Sequence, residues 1–214
     1  MTPTAPHPLH TRIAALPLVA ILRGLPAADA TAVGEALYAA GFRTLEVPLN
    51  RPGALDCIRS LVQALPSDAV VGAGTVLSMQ DVDAVAAAGG QLMVCPHTDA
   101  ALIAHARRCG LYCAPGVATP TEAFAALQAG AHALKLFPAD MVGLGGLKAL
   151  RSVLPASTPL WPVGGITPES LAAWRNAGAN GFGIGSQLYS PGLDAASVAQ
   201  RAQGYVQAWR SCAH

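Results

Sequence analysis

Charge is what this sequence has least of. Its 214 residues carry 13 Lys and Arg against 12 Asp and Glu, 12% in all, for a net charge of +1. That is about half the usual charged share of roughly 25%, and a balance so near zero offers no basic stripe for nucleic acid or an anionic membrane. Lysine is scarcer still: 11 of the basic residues are Arg, and the two lysines are Lys135 and Lys148. Long apolar runs are also missing. The stretch Ile13–Leu22 is ten residues long and is divided by Pro17, against about 20 for a spanning helix. No small-residue cleavage site follows it, so it does not read as a signal peptide either. Cysteine pairs of the C-x-x-C type are absent. The five cysteines (Cys57, Cys95, Cys109, Cys113, Cys212) are odd in number and scattered, which predicts reduced thiols in a cytoplasmic protein, most of them acting as small buried apolar groups.

Apolar residues, by contrast, are plentiful: 52% of the chain, with a mean hydropathy of +0.41. This excludes intrinsic disorder and predicts an unusually well-buried fold, one domain over residues 1–214 with a short lead-in. The first ten residues, with Pro3, Pro6 and Pro8, predict a frayed start.

After the lead-in one phrase returns. A helical segment ends in a small residue plus Gly, and an apolar strand follows. It occurs at Ala40-Gly41, Ala88-Gly89, Cys109-Gly110, Ala129-Gly130 and Ala177-Gly178, at spacings of 48, 21, 20 and 48 residues. A glycine just past a helix end is the common left-handed terminator. The two long spacings each conceal one further unit, VVGAGT (70–75) and LWPVG (160–164), and LVAIL (18–22) opens the series. Eight strands alternate with helices, and each strand is a continuous apolar run, as expected of parallel strands covered on both faces. Helix starts are marked at Asp99, at Thr119-Pro-Thr-Glu122 and at Thr167-Pro-Glu. The pattern predicts an α/β fold, a (β/α)8 TIM barrel. A doubly wound open sheet is the alternative, but it usually has fewer units and no G-x-G-x-x-G follows the first strand.

In such a barrel the chemistry sits at the C-terminal ends of the strands. Lys135 lies in ALKLFP, the sixth predicted strand, on one face with Ala133 and Phe137. Burial lowers an ammonium pKa and makes the amine a nucleophile toward ketones; the alternative is a lysine that snorkels out or pairs with a carboxylate. Lys148, in GLKALRSVL, reads as a solvated helix face. Glu46 is the acidic residue that falls in a strand, and it points with Thr44 away from Leu45, Val47 and Leu49. It suits general acid/base work, a structural pair with Lys135, or both. Glu35, Glu122 and Glu169 fall on helices. Gly164-Gly165 and Gly183-Ile-Gly185-Ser186 end the seventh and eighth strands, where barrels often hold phosphate through backbone N–H groups. The histidines show neither H-x-H nor H-E-x-x-H spacing. No metal site is expected, and His97 is a lone candidate at a strand end.

With these residues placed, the chain resembles the class I aldolases of 2-keto-3-deoxy-6-phospho sugar acids. The matching phrases are VAILRG (19–24), GFRTLEVPLN (41–50), VVGAGTVL (70–77), APGVATPTEA (114–123), ALKLFPA (133–139), PVGGITPES (162–170) and GIGSQLY (183–189). Val163 before Gly164-Gly165, and Pro48-Leu49-Asn50 after Glu46, resemble the phosphogalactonate branch; the phosphogluconate branch typically has Thr and Arg at such places. The resemblance implies a lyase that cleaves its phosphorylated keto acid to pyruvate and glyceraldehyde 3-phosphate, assembles as a homotrimer and needs no metal or organic cofactor. It implies that Lys135 forms the Schiff base and Glu46 shuttles protons. Arg23 and Thr75 would contact substrate, with Gly164, Gly165 and Ser186 at the phosphate. Two other functions compete with this one. A phosphosugar epimerase or isomerase would usually place several His or Asp residues at strand ends, where this sequence offers His97. A phosphate-binding module would use Lys135 and Glu46 as a plain ion pair.

Overall fold

The computed structural model describes residues 7–212. Its strands are β1 (Leu18–Ile21), β2 (Thr44–Pro48), β3 (Val70–Gly74), β4 (Leu92–Val94), β5 (Tyr112–Ala114), β6 (Gly116–Val117), β7 (Leu134–Leu136), β8 (Leu160–Pro162) and β9 (Phe182–Ile184). The α-helices are α1 (His10–Ala15), α2 (Ala30–Ala40), α3 (Ala54–Ala64), α4 (Met79–Ala87), α5 (Ala100–Arg108), α6 (Pro120–Ala129), α7 (Ala139–Val153), α8 (Leu171–Asn176) and α9 (Ala195–Ser211). All strand pairs are parallel. One curled sheet runs β5-β4-β3-β2-β1-β9 and a second runs β6-β7-β8. The chain joins the two sheets at Pro115, and an isolated bridge between Val163 and Gly183 joins the end of β8 to β9.

Each apolar run singled out in the sequence is a strand, with one refinement. YCAPGV forms two strands, because Pro115 has no N–H to give the ladder and separates β5 from β6. The glycines of the recurring phrase (41, 89, 110, 130 and 178) all have positive φ. The Thr119 capping box is present, with Pro120 in the first turn, and Asp99 caps α5. Thr167 caps a single 3-10 turn, and its reciprocal partner there is Ser170.

Burial divides into two layers. Leu45, Val47, Ala73, Leu134, Leu136 and Ile184 face the helices. Val19, Val70, Leu92, Val94, Tyr112, Ala133 and Trp161 form a separate cluster on the inner face of the curled sheets. Leu9 and Ile13 join this inner cluster, which corrects the expectation of a frayed start for the part of it that is described. From His7 onward the chain is packed, with the His7 Nε2 3.2 Å from the Gly110 carbonyl and its ring 4.6 Å from that of His132. Pro3 and Pro6 lie outside the described residues, as does His214 at the other end. Among the described residues no helix is long and apolar enough to cross a membrane. The run Ile13–Leu22 is split between α1 and β1. Cys57, Cys95 and Cys113 are buried, Cys109 and Cys212 half-buried, and all five are unpaired.

Candidate active site

The C-terminal ends of β1, β2, β3, β7, β8 and β9 gather the polar residues. Lys135, in the middle of β7, pairs in register with Gly116 on β6 and Trp161 on β8. Its strand neighbours Leu134 and Leu136 take the helix-facing side, so strand alternation turns Lys135 inward with Ala133. It is 7% exposed. Burial holds its amine below the ordinary lysine range, and the Arg23 guanidinium pushes the same way, against the raising influence of Glu46 and Cys95. The Nζ also stands 4.5 Å from the centre of the Phe137 ring, a contact that favours the charged form.

Glu46 sits on β2, level with Ile21 of β1 and Gly72 of β3. It is 2% exposed, and its Oε2 has no hydrogen-bond partner. Burial pushes its carboxyl up to about 7, while Lys135 and Arg23 pull it back down. The ion pairs among the described residues are Arg43–Asp68, Arg59–Asp56 and His105–Asp83. Lys135 and Glu46 therefore feel each other's charge without direct contact. Of the two readings of the sequence, a closed structural salt bridge is the one this geometry disfavours. An acid that titrates near neutrality lies within charge range of an amine held toward its neutral form, and neither lines the cavity formed by Arg23 and the Gly164-Gly165 turn.

Four of the five residues proposed for substrate contact line one cavity of about 270 Å3: Arg23, Gly164, Gly165 and Ser186. Phe137 and Val163 line it as well, and Phe137 carries it toward Lys135. Gly164 and Gly165 both adopt positive φ (113° and 65°). A Cβ on Gly165 would lie 2.7 Å from Asp140 Oδ1, an exposed carboxylate that would have to turn aside, and the positive φ there strains any side chain. Thr75 lies outside this cavity, half-buried at the end of β3. Its φ of 54° is the one positive value outside glycine among the described residues, a strained conformation of the kind found at ligand sites. His97 is exposed, and among the described residues its ring makes no hydrogen bond; its carbonyl accepts one from Cys95 Sγ at 3.1 Å. Lys148, Glu35 and Glu169 are exposed, and Glu122 is the capping residue of α6.

Sequence reasoning missed Gly74, Cys95 and Gln187. Gln187 lines the cavity next to Ser186. Gly74 lies at the end of β3, and the Glu46 carboxylate occupies the space a side chain there would need. The signal was present as the VVGAGT phrase, but its meaning depends on the neighbouring strand. A larger cavity of about 330 Å3 lies at the opposite end, among Ile13, Tyr112, Trp161 and Trp209. It contains no lysine, acid or glycine pair, so volume does not decide the site.

Residues 9–202 match the family of KDPG and KHG aldolases. The chain is 46% identical over 195 residues to the 2-dehydro-3-deoxy-6-phosphogalactonate aldolase of Escherichia coli K12, covering 91% of this chain and 95% of that protein. A solved structure described as native KDPGal superposes with a TM-score of 0.90 at 46% identity, covering 92% of this chain and 96% of that one. The KDPG aldolase of Legionella pneumophila, with pyruvate captured as a covalent carbinolamine, superposes with a TM-score of 0.82 at 26% identity over 92% of this chain and 97% of that one.

Proposed function

The chain belongs to the KDPG and KHG aldolase family, and from that premise we propose that it cleaves 2-dehydro-3-deoxy-6-phosphogalactonate to pyruvate and glyceraldehyde 3-phosphate through a Schiff base on Lys135. The observation that carries the mechanism is a lysine 7% exposed, opposite a carboxyl 2% exposed with an unpartnered oxygen, and no ion pair between them. The neutral Lys135 amine attacks the C2 ketone, and loss of water gives an iminium that acts as electron sink. Glu46 takes the C4 hydroxyl proton, the C3–C4 bond breaks, and glyceraldehyde 3-phosphate leaves. The enamine is then protonated at C3 and hydrolysed to pyruvate, which restores the amine. Arg23 and Thr75 orient the keto acid, and the Gly164-Gly165 turn with Ser186 receives the phosphate.

The choice of the galactonate epimer is supported by the relatives' names and by Val163, which brings a methyl group to the cavity where a Thr would bring a hydroxyl. In the same reading, β5 and β6 count as one strand interrupted at Pro115. With the Val163–Gly183 bridge, the two sheets then make one eight-stranded (β/α)8 barrel and one domain. Five unpaired thiols support a reducing, cytoplasmic setting, and a homotrimer is the assembly we expect.

Borohydride reduction in the presence of pyruvate tests the chemistry. A stable mass is expected on Lys135 and none on a Lys135→Met variant; labelling that survives in the variant overturns the mechanism. Comparing kcat/KM on the two epimeric phospho keto acids tests the substrate, and a strong preference for the gluconate-derived epimer overturns that assignment.

A further inference from the structure

Away from the cleft, three metal-ligating side chains meet on the outside of the fold. Asp83 comes from α4; His105 lies one turn before Cys109, the residue that closes α5. The i, i+4 spacing puts His105 and Cys109 on one face of that helix, and the packing of α4 against α5 brings Asp83 opposite them. His105 Nε2 is 2.7 Å from Asp83 Oδ1, Cys109 Sγ is 3.7 Å from the same oxygen, and Sγ is 3.8 Å from Nε2. We propose that Asp83, His105 and Cys109 form a site for one Zn2+-class divalent ion, with solvent as the fourth ligand.

The distances are close to what such an ion needs. Tetrahedral zinc with bonds of about 2.0–2.3 Å to S, N and O holds its ligand atoms about 3.3–3.6 Å apart. The separations of 3.7 and 3.8 Å exceed that by a few tenths of an ångström at most, and the 2.7 Å separation must open by roughly 0.6–0.9 Å. The Asp83 side chain, 61% exposed, is free to supply that movement. Thiolate with imidazole selects a zinc-like ion over Mg2+ or Ca2+. On binding, Asp83 gives one carboxylate oxygen. Cys109 releases its thiol proton to solvent as the S–metal bond forms, and the His105 ring proton, held on Nε2 against the Asp83 carboxylate, moves through solvent to Nδ1 so that the Nε2 lone pair binds the ion. Arg108, whose Nη2 lies 3.4 Å from that Nδ1, yields the contact and turns into solvent. An ion here clamps α4 to α5 at the end where Cys109 precedes β5, opposite the strand ends that carry Phe137 and Gly164. Aldolase turnover is therefore expected to proceed without it. Histidine spacing within the chain does not reveal this set, because Asp83 arrives from a different helix.

Anaerobic titration of the chelator-treated full-length protein with Co2+ tests the site, with Zn2+ as competitor. Wild type and a Cys212→Ser control should each develop a thiolate-to-cobalt charge-transfer band at one equivalent, with Zn2+ displacing it. Cys109→Ser should lose the band. Losing an outer-shell partner alone weakens metal sites about 10- to 100-fold, so Asp83→Asn and His105→Gln should each weaken binding by about 10-fold or more. Aldolase activity is expected to stay that of wild type in all four variants. A wild type without the band, a band retained in Cys109→Ser, or wild-type affinity in both Asp83→Asn and His105→Gln overturns the proposal.

Discussion

The carboxylate of Glu46 occupies the place that a side chain on Gly74 would take. Two strands are therefore fitted to one functional group: β2 supplies the acid, and β3 supplies the hydrogen that makes room for it. Gly74→Ala is expected to displace Glu46 and lower kcat by about 100-fold, the usual effect of misplacing a catalytic group by about 1 Å. Steady-state kinetics with pyruvate trapping as a control would check this. A Gly74→Ala enzyme within threefold of wild-type kcat would mean that Glu46 does not need that position.

The carboxyl of Glu46, raised to about 7 by burial, should appear in the kinetics. If it acts as base, kcat/KM rises with pH through about 7, the range in which the free enzyme ionises it. In Glu46→Gln that limb should vanish, with activity down about 100- to 10,000-fold. A pH–rate profile of both enzymes decides it; an unchanged limb in the variant assigns the ionisation elsewhere.

Stability carries the same signature with a defined sign. A carboxyl whose folded pKa is raised from 4.5 to about 7 contributes stability below 4.5 that is lost as pH rises to 7, because the folded state holds the proton longer. Glu46→Gln removes this loss. It is expected to exceed wild type by about 3 kcal/mol at pH 8 and to approach it near pH 4. Urea unfolding at the two pH values measures the difference, and a variant that is less stable at pH 8 would contradict the burial penalty.

At the other end of the cleft, Gly165→Ala forces a side chain into a φ of 65° and against Asp140. The expected result is a KM for phosphorylated substrate raised by about 10-fold or more, with pyruvate trapping on Lys135 unchanged. Loss of both together would mean that the turn supports the whole site instead of the phosphate.

Val163 is 8% exposed and lines the cavity beside Gly183. Threonine has nearly the same shape, so Val163→Thr adds a hydroxyl with little change in packing. It should move the kcat/KM ratio toward the gluconate-derived epimer by about 10-fold or more. A ratio that stays put would remove Val163 from epimer choice.

Local patterns made much of this legible. A glycine that ends a helix acts within its own few residues, so the recurring phrase marked the strands that follow it. Lys135 stood out because lysine is rare and its strand is otherwise apolar. Hidden from the sequence were relations between segments. Gly74 has meaning only beside Glu46, Asp83 only beside His105, and the break at Pro115 only against the strands on either side. The packing of His7 and Leu9 was equally non-local, since proline content suggested a loose start while the partners, Gly110, Tyr112 and His132, lie about a hundred residues away.

The proposed site residues differ sharply in exposure: Lys135 and Glu46 are buried, whereas Arg23 and Ser186, which line the cavity, are exposed. Mobile ions in the medium screen exposed charges and reach buried ones far less. Ionic strength should therefore act on the two halves of the reaction separately. On the proposed roles, added salt should weaken capture of the doubly charged phosphate tail by the exposed residues and leave proton exchange between the buried amine and carboxyl unchanged. Saturated turnover would then be indifferent to the salinity of the cell, and only the hold on scarce substrate would follow it.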